Sequence, residues 1–331
     1  DLRRMQVAYN EIAQRRLEVD QTFSLREIDP VALLQLQEAG EASFQLPEAF
    51  FDLYYPGHYR RRIRALRLTV PAIVPPNTNL PVQARLLSHE LRRDPTEAPS
   101  VGGFGEPPVT RIATSSAQRD GGVFELDFRA ARLLPFEGAG AVSEWELKLP
   151  SAVRPFDYRS IQDVLVNIAY DAEHSESRRT ELETAVGGST PAFSNLFATA
   201  PPRRRVISLR REHGGTLRRL ISSPPGTPVA FALGEEVLPY YLRSSSVRIV
   251  DPSIVLRSIA APDLEVTLNG TSISASSRSP WPLLTALQAA PLSGAFGGGL
   301  VGEHTLTIQS WGTAEPPDDF DILLVMDLAE G

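Results

Sequence analysis

The stretch SFQLPEAFFDLYYPGHYRRRIRALRLTV, Ser43 to Val70, marks a change of architecture along the chain. Its aromatic residues are Phe44, Phe50, Phe51, Tyr54, Tyr55 and Tyr59. Aromatic side chains bury large areas and dominate core energetics, so this cluster predicts a junction between a helical part and a β part. Pro47 and the Pro56-Gly57 pair exclude one continuous helix. We expect four of the rings to be largely buried at the junction: Phe50, Phe51, Tyr54 and Tyr59.

Composition limits the class of protein. The 331 residues allow one large domain or two ordinary ones, and 42% hydrophobic with 22% charged residues is typical of globular chains. A net charge of −7 predicts no attraction to nucleic acid, and the absence of cysteine excludes disulfides and cysteine-bound metal. No run of 18 apolar residues is present to span a membrane. Without an initiator methionine or a signal peptide, we expect the chain to be part of a longer protein.

Helical patterns precede the junction. Three- and four-residue steps define a heptad seam of Leu2, Met5, Tyr9, Ile12, Val19 and Phe23, with Arg16 in the remaining core position. This seam predicts the end of a long helix packed against others, and an ordinary amphipathic helix fits the pattern equally well. A second helix is predicted between Asp29, a good N-cap before Pro30, and Gly40, which suits the C-terminal cap.

After the junction, apolar and polar residues alternate in the manner of strands. The apolar positions are Leu66, Leu68 and Val70; Val82, Ala84 and Leu86; Phe124, Leu126 and Phe128; Trp145, Leu147 and Leu149; and Val164, Val166, Ile168 and Tyr170. One apolar face per strand predicts antiparallel sheets packed face to face or closed. The predicted fold class is therefore mainly β, with antiparallel β-sandwich-like modules preceded by an α-helical stem.

The second half of the chain carries six further strand patterns, starting at Val206 and ending at Met326. Asn269-Gly270 predicts a two-residue hairpin turn, and Ser293 to Gly302 predicts a flexible glycine-rich loop. Thr190 to Pro202 is the best linker candidate. We therefore divide the chain into a helical stem (1–42), a β part (43–172), a polar helix with a linker (173–205) and a second β part (206–331).

Motifs that carry chemistry are missing. None of the five histidines has metal-ligand spacing, and His58 is interpreted as a structural hydrogen-bonding residue. The glycine-rich runs lack the Gly-Lys-Ser/Thr of a phosphate loop, and no Gly-x-Ser-x-Gly elbow occurs. The pairs Glu144/Glu146 and Asp318/Asp319 are best explained as solvated carboxylates. The sequence thus predicts no enzyme, and no catalytic, cofactor-binding or metal-binding residue.

A basic cluster in the second half has two possible explanations. It consists of Arg203, Arg204, Arg205, Arg210, Arg211, Arg218 and Arg219. A solvated face explains it, and contact with an acidic partner surface is the alternative.

Long motifs resemble one protein family. They are the segment from Phe44 to Pro71, RIATSSAQRDGGVFELDF (Arg111 to Phe128), LPFEGAGAVSEWELKLP (Leu134 to Pro150) and FDYRSIQDVLVNIAYDA (Phe156 to Ala172). The lead-in EVDQTFSLREIDPVALLQLQEAG (Glu18 to Gly40) agrees with them, and the likeness weakens from Ala200 onward. These stretches resemble the C-terminal region, the B-subunit-binding domain, of the A subunit of bacterial Tc (toxin complex) insecticidal-type toxins.

The resemblance implies a non-enzymatic docking domain of a secreted, pore-forming translocation toxin. By that resemblance, the domain binds the B component of the cocoon that carries the toxic enzyme, and the full-length chain forms a pentameric ring. Membrane contact would occur only through regions outside this sequence. The alternative function is a carbohydrate- or receptor-binding β-sandwich module of a secreted bacterial protein.

Overall fold

The computed structural model describes residues 16–75, 82–101, 111–114, 123–126, 136–150, 154–185, 203–239, 243, 247–257, 265–274, 288–292, 294–297, 299–311 and 320–330. The chain forms two compact units, Asp1–Ile28 with Ala32–Pro191, and Asp29–Val31 with Ala192–Gly331. Several predictions lie outside the described residues: the first heptads, the Thr190 to Pro202 linker and the Asp318/Asp319 pair.

The first unit contains nine strands and four helices among its described residues. The strands are β1 (Leu17–Ser24), β2 (Glu41–Leu46), β3 (His58–Pro71), β4 (Val82–Leu91), β5 (Ser100–Val101), β6 (Arg111–Thr114), β7 (Val123–Leu126), β8 (Val142–Lys148) and β9 (Leu165–His174). The helices are α1 (Leu25–Ile28), α2 (Pro30–Ala39), α3 (Glu48–Tyr54) and α4 (Glu176–Ala185), with a 3-10 turn at Tyr158–Ser160.

These strands form two antiparallel sheets. One has the order β1-β9-β3-β7, and the other has the order β2-β8-β4-β5 with β6 also paired to β4. Buried residues of both sheets belong to one hydrophobic cluster, including Leu66 and Val166 from the first sheet and Phe44 and Trp145 from the second. The mainly β, antiparallel prediction is confirmed, and the β-rich structure fits a β-sandwich.

Alternation of side chains explains this core. The buried residues of β8 are spaced two apart, as are those of the first half of β4, because successive strand side chains point to opposite faces. In β9 the predicted positions Val166, Ile168 and Tyr170 are fully buried, while Asn167, Ala169 and Asp171 between them are half-buried. The predicted apolar faces in β3, β4, β8 and β9 are thus confirmed.

The helical stem is corrected where the structure describes it. Leu17–Ser24 is strand β1, paired with β9 so that Val19 lies opposite Tyr170 and Phe23 opposite Val166. Val19, Gln21 and Phe23 are buried, whereas the residues between them are exposed. The heptad prediction used Val19 and Phe23 four residues apart, a spacing that also fits the two-residue period of a strand. Pairing with β9 shows that this segment is a strand and not part of a helix.

The second predicted helix is confirmed as α2. The Asp29 carboxylate accepts a hydrogen bond from the Val31 amide at 3.1 Å, and Pro30 is the first helical residue. Gly40 follows the helix at φ +78°, a left-handed conformation that glycine adopts without a steric penalty.

The second unit also contains two antiparallel sheets. Its elements are β10 (Arg203–Ser208), α5 (Leu209–Glu212), α6 (Gly214–Ser222), β11 (Pro228–Leu233), β12 (Val247–Arg257), β13 (Glu265–Leu268), β14 (Thr271–Ser274), β15 (Gln288–Pro291), β16 (Gly302–Ser310) and β17 (Asp321–Glu330). The strand orders are β10-β17-β12-β15 and β11-β16-β13-β14. Buried residues of both sheets form one hydrophobic cluster.

The hairpin prediction is confirmed, and part of the predicted glycine-rich loop packs into the core. Asn269-Gly270 joins β13 to β14, and the Asn269 amide donates to the Ala295 carbonyl at 2.8 Å and to His304 Nδ1 at 2.9 Å. Phe296 and Leu300 are buried in the core. Within the described residues 294–297 and 299–302, the glycine-rich segment therefore contacts its own unit through apolar burial and the Asn269 side chain.

Candidate functional site

Helix α3 lies at the junction and carries both buried and exposed aromatic rings. Phe51 is fully buried, with its ring centroid 5.0 Å from that of Phe23 and 5.5 Å from that of Tyr170. Phe50 is also buried, which confirms both predictions. Tyr54 is 53% exposed, so its predicted burial is wrong. Tyr54 is the last residue of the helix, three residues after Phe51, and its side chain is largely exposed to solvent.

The remaining rings of the junction are divided between core and surface. Phe44 is buried in the core on β2, and Tyr59 on β3 is only half-buried. Tyr55 directly follows α3 and is 38% exposed. The junction therefore buries three phenylalanines and presents two neighbouring tyrosines to solvent.

A buried ionic cluster lies behind these tyrosines. We use this name for Glu48, Asp52, Arg61, Arg92 and Arg178. Arg61 and Asp52 are both 3% exposed, and Arg61 Nη2 donates to Asp52 Oδ1. Arg92 donates to both oxygens of Glu48, at 2.8 and 2.7 Å, and Arg178 donates to Asp52 Oδ2 at 3.2 Å. The cluster therefore joins α3, β3, α4 and the segment that follows β4.

A bulge in β3 directs two consecutive arginines to different partners. Arg60 has φ +51°, and the pairing of β3 with β9 shifts register between Tyr59 and Arg62. A β-bulge inserts an extra residue and changes the direction of the side chains that follow. As a result, Arg60 binds the Glu173 carboxylate at 2.9 Å, while Arg61 enters the ionic cluster.

Burial and neighbouring charge act in opposite directions on the two carboxylates. Burial raises the pKa of Asp52, and the attraction of Arg61 and Arg178 does not fully offset it. Burial also opposes ionisation of Glu48, but hydrogen bonds and charge from Arg92, with further charge from Arg61 and Arg178, lower its pKa. The cluster therefore links these elements, and each of its carboxylates interacts with at least two arginines.

An aromatic row extends from the tyrosines to the start of α4. The Tyr55 and His58 rings are stacked at 5.5 Å between centroids with an interplanar angle of 11°, and His58 meets His174 edge-on at 5.5 Å. Burial, with the charge of Arg61, lowers the pKa of His58 to about 4, so this ring is neutral at neutral pH. His58 Nδ1 has no hydrogen-bond partner among the described residues. The interpretation of His58 as a hydrogen-bonding residue is thus not supported at Nδ1, and the contacts seen for this side chain are those of its ring.

An open groove lies beside the amino-terminal end of α3. Its volume is about 250 Å³, and its lining comes from the β2–α3 connection, the end of β4 and the start of β8. On this lining, Ser88 donates to Glu144 at 3.3 Å, and His89 Nδ1 accepts a hydrogen bond from the Gly140 amide at 3.1 Å. Glu146, two residues along β8, contacts Lys148 at 3.3 Å.

The arginine cluster of the second unit is largely engaged within that unit. Arg204 binds Asp327 at 2.9 Å, Arg205 binds Glu212 at 2.6 Å, and Arg210 donates to the Phe320 carbonyl at 2.9 Å. Among the described residues, no group of three or more His, Asp or Glu side chains is arranged to hold a metal ion. In that same part of the chain, no helix is long and apolar enough to cross a membrane.

The sequence did not reveal the ionic cluster. Arg61 was visible only as one of three consecutive arginines, and Arg92 and Arg178 lie 44 and 126 residues from their partners Glu48 and Asp52. No local pattern links such positions, because sheet pairing and the bulge bring them together.

The fold and the site define a mainly β protein with antiparallel sheets, in which a buried ionic cluster lies next to exposed aromatic rings. Residues 1–172, just over half of the chain, match the family model described as "Tc toxin complex TcA C-terminal TcB-binding domain", so the chain belongs to this family. The resemblance found in the sequence is thereby confirmed.

The chain is also similar to individual proteins over about half of its length. Toxin subunit YenA2 of Yersinia entomophaga is 30% identical over 188 residues, covering 52% of this chain and 14% of that protein. The cryo-EM structure of Yersinia pseudotuberculosis TcaA-TcaB aligns with 52% of this chain and 10% of its own, at 21% identity and a TM-score of 0.34. Morganella morganii TcdA4 aligns with 52% and 8%, at 22% identity and a TM-score of 0.33. The chain thus spans a small part of the length of these relatives.

Proposed function

We propose that this chain is a non-enzymatic docking domain of the A subunit of a pore-forming translocation toxin. In this proposal it binds the B component of the cocoon that carries the toxic enzyme. The observation that carries the proposal is the match of residues 1–172 to the TcB-binding domain family.

The use of ionisable groups supports the non-enzymatic part of the proposal. Glu48 and Asp52, the carboxylates buried at the junction, are bound by arginines on several sides. A catalytic acid or base must reach a substrate proton at hydrogen-bond distance. Carboxylates held by Arg61, Arg92 and Arg178 instead stabilise the surface that a partner contacts.

Packing of the sheets supports a docking platform. We propose that the two sheets of each unit form a β-sandwich, since both sheets contribute to a common core in each case. Residues 43–172 and 206–331 would then be two β parts of one binding domain, joined by the helix and linker of 173–205.

Assembly and location follow from the same proposal. The full-length A subunit would act outside the bacterial cell as a cyclic homo-oligomer, a pentamer, in which several copies of this domain surround one B component. Membrane contact would be made by regions outside this sequence.

Deletion in the full-length A subunit tests the docking function. Removing the residues from Ser43 onward should abolish binding to the B component in a surface-immobilised binding assay, while oligomer formation, measured by mass photometry, persists. Undiminished affinity of the deleted protein for the B component would show that the docking assignment is wrong.

The carbohydrate- or receptor-binding alternative has one observation in its favour, namely the exposed pair Tyr54 and Tyr55. Aromatic rings on a surface are common in glycan-binding sites as well as in protein interfaces. A glycan array separates the two functions. Specific glycan binding by the intact chain, without binding of the B component, would favour the alternative.

A further inference from the structure

We propose that Tyr54, Tyr55 and the exposed carboxylates of α4 form a contact surface for a protein partner that presents arginine or lysine side chains. We call these residues the tyrosine surface. The inference deepens the proposed docking function and rests on it, because it assigns the partner contact to a defined place and a defined chemistry.

The backbone of the tyrosine surface is held in place before any partner binds. The Tyr55 amide donates to the Phe51 carbonyl at 2.9 Å, and its carbonyl accepts from Arg61 at 3.4 Å. Gly57, at φ +84°, turns the chain, and its carbonyl accepts from the Ser175 amide at 2.9 Å, directly before α4. An ordered surface loses little conformational entropy on binding, so its contacts contribute more fully to affinity.

Near the tyrosines, two arginine side chains are buried and the carboxylates of α4 are exposed. Arg61 and Arg178 are turned inward, with side chains only 3% and 11% exposed. The carboxylates of α4 are turned outward, with side chains 73%, 62% and 55% exposed for Glu176, Glu181 and Glu183. The one exposed cation on this helix in the described residues, Arg179, is paired with Glu183 at 2.7 Å. Arg178 also approaches Glu181 at 3.4 Å, so α4 carries three exposed carboxylates against two arginines, an excess of one negative charge.

Continuity between the rings and the carboxylates is visible in the aromatic row. Tyr55 stacks on His58, His58 touches His174, and His174 lies 3.2 Å from the Glu176 carboxylate. With His58 neutral at neutral pH, this ring adds no positive charge to the row. Tyrosine faces attract cations through the ring quadrupole, and carboxylates pair with guanidinium groups.

Together, these two attractions indicate which side chains the protein partner presents. Arginine and tyrosine are enriched among residues that dominate binding energy at protein interfaces. A partner that places an arginine or lysine against the rings, with a second cation near Glu176 or Glu181, satisfies both. Other large exposed apolar side chains among the described residues, such as Ile73 and Leu87, are single aliphatic groups and offer no comparable recognition of a cation.

The test uses the full-length A subunit and its cognate B component. The double variant Tyr54→Ser/Tyr55→Ser removes both rings, and Ile73→Ser is the matched control, since Ile73 is 73% exposed. We expect the double variant to bind the B component at least about tenfold more weakly, as hot-spot residues do, and the control to bind as the unmodified protein does. Circular dichroism melts of the control should match those of the unmodified protein, and those of the double variant should show only a small loss, because Tyr55 gives up its stacking on His58.

A second variant tests the charge. Glu176→Gln/Glu181→Gln should weaken binding at low salt and have a smaller effect at high salt, because exposed charges are screened. Binding of both double variants within twofold of the unmodified protein would overturn the tyrosine surface while leaving the docking function intact. Failure of the unmodified protein to bind would overturn both. Loss of oligomer formation or of glycan binding in the tyrosine variant, with normal binding of the B component, would also overturn the proposal.

Discussion

Replacement of Arg61 by methionine tests whether the ionic cluster holds the junction together. Methionine keeps most of the apolar stem of the side chain and removes the guanidinium group. Arg61 contacts Asp52, Glu48 and the Tyr55 carbonyl, and its guanidinium lies 5.6 Å from the centre of the Phe51 ring. The substitution therefore removes several interactions of a buried charge at once.

The expected loss of stability depends on the ion pairs that remain after the substitution. Removing one partner of a buried ion pair costs about 3–5 kcal/mol, because the other charge is left uncompensated. Asp52 would keep Arg178 at 3.2 Å, and Glu48 would keep Arg92 at 2.7 Å. We therefore expect the lower end of the range, about 3 kcal/mol. For a domain of 150–250 residues this lowers the melting temperature by about 6–12 °C.

Arg64 on the same strand provides the matched control. It pairs with Glu18 and Asp171, but its side chain is 46% exposed and Glu18 is largely exposed. Exposed ion pairs contribute about 0–1 kcal/mol, so Arg64→Met should have a small effect. The double variant Arg61→Met/Asp52→Asn should recover part of the loss, because the buried carboxylate charge is removed as well.

The assay is thermal and urea unfolding at neutral pH, followed by circular dichroism. A melting temperature of Arg61→Met no lower than that of Arg64→Met would refute the reasoning, since it would mean that the buried cluster contributes no more than a surface pair.

Three further predictions concern the same junction. Phe51→Ala should lower the free energy of unfolding by about 3–5 kcal/mol through loss of a fully buried ring, whereas Tyr54→Ala should change it by no more than about 0.5 kcal/mol; equal effects in urea unfolding would contradict this. His58 has a pKa of about 4 in the folded chain, below its ordinary 6.5, so stability should be full above pH 6.5 and fall as the pH drops towards 4. The loss should be roughly 1 kcal/mol after discounting for solvent screening, and His58→Phe should reduce this slope in melts between pH 7.5 and 4.5; an unchanged slope would assign it to other groups. Gly57→Ala should destabilise the chain more than Gly138→Ala, because both glycines have positive φ but only at Gly57 would a Cβ approach other atoms within 3 Å; equal melting temperatures would argue against the close approach.

Local patterns in the sequence were sufficient for several elements. Alternation identified the buried faces of β4, β8 and β9, because strand side chains point to opposite sides whatever the partner strand is. The cap residues Asp29 and Gly40 located α2, since capping depends on residues next to the helix end. Asn269-Gly270 located the β13–β14 hairpin for the same reason. The long motifs also identified the family over residues 1–172.

Features that depend on distant partners required the tertiary structure. Val19 and Phe23 fit a heptad as well as a strand, and pairing with β9 makes this segment β1. The sequence likewise placed Tyr54 with the buried aromatic residues, because composition does not show where a helix ends relative to the core.

The ionic cluster and the tyrosine surface are the strongest examples. Arg92 and Arg178 meet Glu48 and Asp52 only because β4 and α4 are brought beside α3, and the bulge at Arg60 turns Arg61 towards them. An ion pair has no sequence period, since its energy depends on distance and burial after folding. The sequence by itself therefore determined the strands and helices whose signals are local, and the tertiary structure alone decided which charges are buried together and which rings stay exposed.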